Sequence, residues 1–158
     1  MPTVHGRRSG TFLALGAAVL AVSGAAVLAG CGEADEPVTE AAYLGSLETV
    51  CSDTTAELLA LPTPPEQISV TDFATRAAEL LDREAARVDR LDVPELLRSD
   101  HRAFVRNTEE QAAAWRSIAG AGGESPDLVT STDLVRRLVL GRNDLAEEMG
   151  APACRRLG

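Results

Sequence analysis

Apolar residues along this chain fall into one unbroken run near the N-terminus and, further on, four stripes with helical spacing. The run, Thr11 to Val27, carries no charge. From about Thr39 to Leu61, Tyr43, Leu44, Leu47, Val50, Cys51, Thr54, Leu58 and Leu61 recur at three- and four-residue steps, the period of one helix face. Thr39 suits the N-cap, and Pro62-Thr63-Pro64-Pro65 ends the pattern. A second stripe, capped by Ser69 or Thr71 and reaching about Leu91, holds Val70, Phe73, Ala77, Leu80, Leu81, Ala85, Val88 and Leu91. Its polar face sets Asp72 before Arg76 and Glu79 before Arg83, an order that favours i, i+4 pairing.

Asp92-Val93-Pro94-Glu95 then admits two readings. It is a tight connection that restarts a helix, with Asp92 capping, Pro94 in the first turn and Glu95 where a capping box places an acid. Alternatively, it is a proline kink in one longer helix. The third stripe, Leu97, His101, Phe104, Val105, Thr108, Ala112, Trp115 and Ile118, runs to about Ala119. This register predicts Leu97, Phe104 and Trp115 buried, with Arg98, Arg102 and Arg106 exposed on its flank. Gly120 to Asp127 reads as a flexible loop. The fourth helix is expected from Ser131 or Thr132 to Met149, with Leu134, Val135, Leu138, Leu145 and Met149 inward and Gly150 at C′. Gly141 falls on its inward stripe. A mid-helix glycine costs about 1 kcal/mol against alanine, so a close approach by a neighbouring helix or by Trp115 is expected there. With no strand alternation and no internal repeat, the class expected is all-α, an antiparallel four-helix bundle.

The N-terminal run has the layout of an export signal. Arg7-Arg8, helped by His5, form a positive segment before it, and Leu28-Ala29-Gly30-Cys31 closes it. Those four residues match a lipobox, in which the cysteine takes a diacylglyceryl group before cleavage. The competing reading is a permanent transmembrane helix, for which about 20 apolar residues are needed. The Arg pair also resembles a twin-arginine signal, but Phe12 stands further from the pair than that motif places it. The organisation expected is therefore a cleaved signal at 1–30, a tether at 31–38 and a helical domain at 39–158. A two-chain lipid on Cys31 would give stable attachment to the outer face of the cell membrane. The acidic tether segment Gly32–Thr39 would reach at most ~27 Å.

Removing residues 1–30 leaves 128, a length that suits one domain. The remaining 13 Arg against 24 Asp and Glu give a charge of −11. Such a domain is a poor partner for nucleic acid and for an anionic membrane, from which its own charge should hold it off, and it favours cationic partners. With Cys31 lipidated, Cys51 and Cys154 remain, and two thiols outside the cytoplasm as a rule pair. Two free buried cysteines are the alternative. A bond between them would tie helix one to the tail after helix four. There is no C-x-x-C for redox work, and the segment after residue 30 holds one histidine, His101, so no metal or other cofactor is expected.

The opening Ala42-Tyr43-Leu44 … Val50-Cys51, followed by leucines and prolines, resembles that of small exported actinobacterial lipoproteins. The ending Leu145 to Cys154, with its Met-Gly-x-x-x-Cys, resembles their closing segment. The resemblance covers about a quarter of the segment after residue 30 and implies a disulfide-closed helical lipoprotein. It supplies no active-site residues. The absence of lysine and abundance of alanine, pointing to GC-rich coding, agree with that source.

Candidate chemistry is sparse. His101 sits on the apolar stripe of helix three, and Asp100 beside it points about 100° away, so a general-base role lacks its partner. Arg98, Arg102 and Arg106 form a basic strip at i, i+4 and i+8, a candidate contact for an anionic ligand or partner. Arginines so placed also pair with acids, and Glu109 and Glu110 lie near Arg106. No Glu-x-x-His pair, nucleophile elbow or phosphate loop occurs. The function expected is non-catalytic: a membrane-anchored module that binds envelope proteins, or else a carrier or sensor holding a small ligand between its helices.

Overall fold

A computed structural model describes residues 37–121 and 126–156. The apolar run, the lipobox with Cys31 and most of the tether lie outside the described residues, as does the middle of the glycine loop. The described chain forms four helices: α1 (Glu40–Leu59), α2 (Val70–Asp89), α3 (Arg98–Ala121) and α4 (Pro126–Glu148). Short 3₁₀ turns occupy Glu95–Leu97 and Pro152–Cys154, and no strand occurs among the described residues. The fold is all-helical.

The helix starts follow local hydrogen-bond needs. Thr39 Oγ1 accepts from the Ala42 amide and Ser69 Oγ from the Asp72 amide, each satisfying a donor that the first turn leaves free. At the end of α4, Gly150 adopts φ +73°, and the Ala151 amide donates to the Ala146 carbonyl while that of Gly150 donates to Glu147. This double bond pattern is a Schellman close, and it needs a residue at ease in the left-handed region.

The α2–α3 connection is a turn rather than a kink. α2 ends at Asp89 and a separate 3₁₀ turn precedes α3. The capping expected of Asp92 and Glu95 is not made. The turn has no side-chain cap, and the Glu95 carboxylate accepts from Arg98 at 2.6 Å instead. α4 begins at Pro126, five residues before Ser131, and α3 continues through Gly120 to Ala121. Proline suits a first helical turn. Leu128, packed against the α3–α4 core, gives the added turn an apolar contact.

Two cores fill the interior. In the first, Tyr43, Leu47, Val50 and Cys51 of α1 meet Val88 of α2, Phe104 and Val105 of α3, Ala146 and Met149 of α4, and Ala151 and Cys154 beyond it. The second joins Ala74, Ala114, Ile118, Val135 and Val139, from α2, α3 and α4 alone. α1 packs on α2 and on the C-terminal 3₁₀ turn. Cys51 and Cys154 form a disulfide with a Cα separation of 4.9 Å across 103 residues of chain. In the chain-entropy view a loop of that size contributes roughly 4–5 kcal/mol.

Several expected core positions lie further out. Leu134 is 39% exposed and Val70 37%, while Leu97 and Trp115 are half-buried. The inward stripe of α4 is Val135, Val139, Arg142, Ala146 and Met149, which leaves Leu134 one residue, about 100°, off it. Trp115 stacks edge-on against Phe73, with ring centroids 5.6 Å apart. Neither i, i+4 pair expected on α2, Asp72–Arg76 or Glu79–Arg83, is formed; interhelical ones occur instead, Arg83 bonding Glu57 and Arg87 bonding Asp53, both across to α1.

Candidate functional site

Between the two cores lies a charged cluster that the sequence reading missed. Arg142 of α4 is fully buried, and all five of its N–H donors have partners. Nε donates to the Cys154 carbonyl at 2.9 Å. Nη1 donates to Thr108 Oγ1 at 2.9 Å and Glu84 Oε2 at 3.3 Å, and Nη2 donates to Glu84 Oε1 at 2.7 Å and Cys51 Sγ at 3.4 Å. The guanidinium also stands 4.3 Å above the Phe104 ring, a favourable cation–π distance. Glu84 of α2 is fully buried too and takes a second arginine, Arg156, at 2.5 Å. Gln111 accepts from Arg156 and donates to Asn107, and Asn143 exchanges two bonds with the Arg156 backbone.

Burial pushes the Arg142 guanidinium down to about 10; the charge of Glu84 opposes this and that of Arg156 adds to it. It stays charged at neutral pH. With every donor engaged, Arg142 has none left for a ligand, so this cluster is an internal tie. The signal was present in the sequence: Glu84 follows Leu80 by four and Leu81 by three, and Arg142 follows Leu138 by four and precedes Leu145 by three. Opposite charges thus stand at inward positions of two different helices.

The candidate binding surface lies where the described chain begins. Pro37 and Val38, the α2–α3 connection and the start of α3 enclose an open groove of about 1070 Å³. Leu91, Val93, Pro94 and Leu96 supply apolar walls, and Leu91 and Val93 continue inward to the first core. Leu96 is 88% exposed. Asp92, Glu95, Arg98 and Arg102 give the lining two charges of each sign.

His101 also lines the groove while being only 6% exposed. Its Nδ1 stands 3.1 Å from the Tyr43 hydroxyl, and the two rings meet edge-on at 5.9 Å. With the imidazole proton on Nε2, the hydroxyl donates to Nδ1. Burial holds the His101 pKa below its ordinary value; Asp89 opposes the shift and Arg102 adds to it. Burial and the charge of Asp100 push the Tyr43 hydroxyl up to about 12. The pair is therefore neutral near pH 7, and it fixes α1 to α3 at the groove floor.

The predicted basic strip divides. Arg98, Arg102 and Arg106 are all exposed, but only Arg98 and Arg102 line the groove. Among the described residues Arg106 makes no ion pair, so the expected partnership with Glu109 and Glu110 is not formed. Gly141 opens no close approach: a Cβ there would meet only Asn107 Nδ2, at 3.6 Å, an ordinary contact. Among the described residues no three metal-ligating side chains converge, and no helix is long and apolar enough to cross a membrane. The chain matches no family model, no curated protein and no solved structure.

Proposed function

We propose that this protein is an exported lipoprotein of the cell envelope, anchored to the outer face of the membrane through Cys31, and that the helical domain is a non-catalytic binding module. The observation that carries this reading is Leu28-Ala29-Gly30-Cys31 at the close of a charge-free run preceded by Arg7-Arg8. The Cys51–Cys154 bond supports it, since such bonds persist outside the reducing cytoplasm. Short connections and the packing of each helix on the next also support an antiparallel up-down-up-down arrangement.

The binding reading draws support from how the polar groups are engaged. His101 is held to Tyr43, and Arg142 is saturated within the protein. A carrier function between the helices is the weaker alternative, because the Glu84–Arg142 tie occupies the space between the two cores and the groove opens to the surface. Tethering raises the effective concentration of the module for neighbours at the same surface. Mass spectrometry of the protein isolated from membranes tests the anchor: the expected N-terminus is a diacylated Cys31, and Cys31→Ala should release the domain or leave an unprocessed precursor. Unchanged mass and partitioning in that variant would refute it. Crosslinking in intact cells tests the binding role: proteins captured by the native chain should be lost when Cys31→Ala releases the domain, and capture of none would refute it.

A further inference from the structure

We infer that the α2–α3 connection, with Leu96 at its tip, is the face this domain sets against the phospholipid bilayer, an inference that rests on Cys31 being the lipid anchor. The path of the chain is the first reason. Pro37 and Val38 line the groove, and Pro37 follows Cys31 by six residues, a span of at most ~21 Å. A lipid on Cys31 therefore holds the groove end of the domain near the membrane. The other end of α1, at Leu59, lies ~28 Å further along the helix.

Charge is the second reason. The segment after residue 30 carries −11, yet the two acids and two arginines lining the groove sum to zero. Lipid phosphates thus meet less repulsion here than the domain average would give. Arg98 and Arg102 can donate to phosphate oxygens, as guanidinium groups do. They share the groove lining with Val93, Pro94 and Leu96, an amphipathic set suited to the headgroup boundary. An exposed leucine alone means little. One at 88% exposure, continuous with an apolar strip and flanked by two cations, matches an interfacial contact.

Tryptophan fluorescence in reconstituted vesicles tests this. The full chain, in whatever processed form the cell makes, is purified from membranes as Trp115→Phe carrying either Leu96→Trp or Leu59→Trp. Leu59 is 77% exposed, so both added indoles start in water. Each protein is placed in phosphatidylcholine–phosphatidylglycerol vesicles with and without brominated acyl chains; circular dichroism and an intact Cys51–Cys154 bond, read by peptide mapping, confirm the fold. The expected result is roughly twofold quenching at position 96, as for a side chain in the headgroup boundary, little at position 59, and a partial loss of the effect with Arg98→Glu/Arg102→Glu. A water-like, unquenched indole at position 96, or stronger quenching at position 59, overturns the inference, including where a protein partner covers the groove in cells. The mass of the same preparation separates the two failures. A lipidated Cys31 with no quenching at 96 defeats the docking face alone, whereas an unmodified chain defeats the anchor and the inference resting on it.

Discussion

Arg142 and Glu84, 58 residues apart on α4 and α2, form an ion pair of 2.7 Å in which neither side chain reaches solvent. Through the same guanidinium, α4 also holds Thr108 and Phe104 of α3, the Cys51 sulfur of α1 and the Cys154 carbonyl of the tail. One side chain thus touches every helix of the described fold. A buried pair of this kind adds little over a well-packed apolar replacement, but breaking it from one side is costly.

Arg142→Leu should therefore destabilise the domain by about 3–5 kcal/mol, since Thr108 and the Cys154 carbonyl lose their donor in the interior. Glu84→Leu should cost as much, because Arg142 and Arg156 would then face each other without a carboxylate. The double variant Glu84→Leu/Arg142→Leu should cost less than the sum. Urea unfolding of the three variants measures this, and strict additivity would show that the residues are not coupled.

The glycines separate by conformation. Gly45 and Gly141 are helical with room for a methyl group, so Gly45→Ala and Gly141→Ala should each stabilise by about 0.5–1 kcal/mol. Gly150, at φ +73°, should respond in the opposite sense, with Gly150→Ala losing about 1 kcal/mol. Thermal unfolding checks both signs.

Hydrophobic period located all four helices, and cap chemistry located the Thr39 start and the Gly150 close and left Ser69 as one of two candidates for the start of α2, because each depends on residues near in sequence. The pairing of Cys51 with Cys154 was legible because the segment after residue 31 holds only those two cysteines. The Glu84–Arg142–Arg156 cluster was not, since charges on an inward stripe look like faults in the pattern until three helices and the tail are brought together. The start of α4 was hidden by the glycines before it, although Pro126 and Leu128 serve a first turn well. Of the basic strip, the sequence placed Arg98 and Arg102 on one helix flank but gave no sign that Pro37 and Leu96 would stand beside them.

Loss of the disulfide should act unevenly. Cys51→Ala/Cys154→Ala should cost about 2–5 kcal/mol overall. α1 takes no part in the second core, so its amides should lose hydrogen-exchange protection before those of α3. Equal loss along both helices would mean that α1 is held by packing on α2 rather than by its link to the tail.

Acid should destabilise the domain through His101. Its folded pKa lies below the ordinary 6.5, so between the two values the unfolded chain binds more protons and stability rises with pH. This contribution is fully present above 6.5 and is lost as pH falls through the folded value. Between about pH 7 and about pH 5, the native chain should lose more stability than His101→Gln, read from urea midpoints. Tyr43 works at the other end. With its hydroxyl pushed up to about 12, the folded state keeps a proton that the unfolded chain gives up from 10.0, and stability falls as pH rises across that interval. Tyr43→Phe should abolish this alkaline limb.

The position of the disulfide also decides how the domain would bear tension. A pull on the chain before Pro37 enters at the first turn of α1 and travels toward Cys51, about half-way along that helix. There the covalent link passes the load to Cys154 and the tail, whose neighbouring Arg142 and Arg156 are bound to α2 and α3. Peeling can run only from Glu40 to Cys51; beyond that point the strain is shared by both ends of the chain at once. A domain hung from one short strap would in this way yield its first three turns and hold the rest.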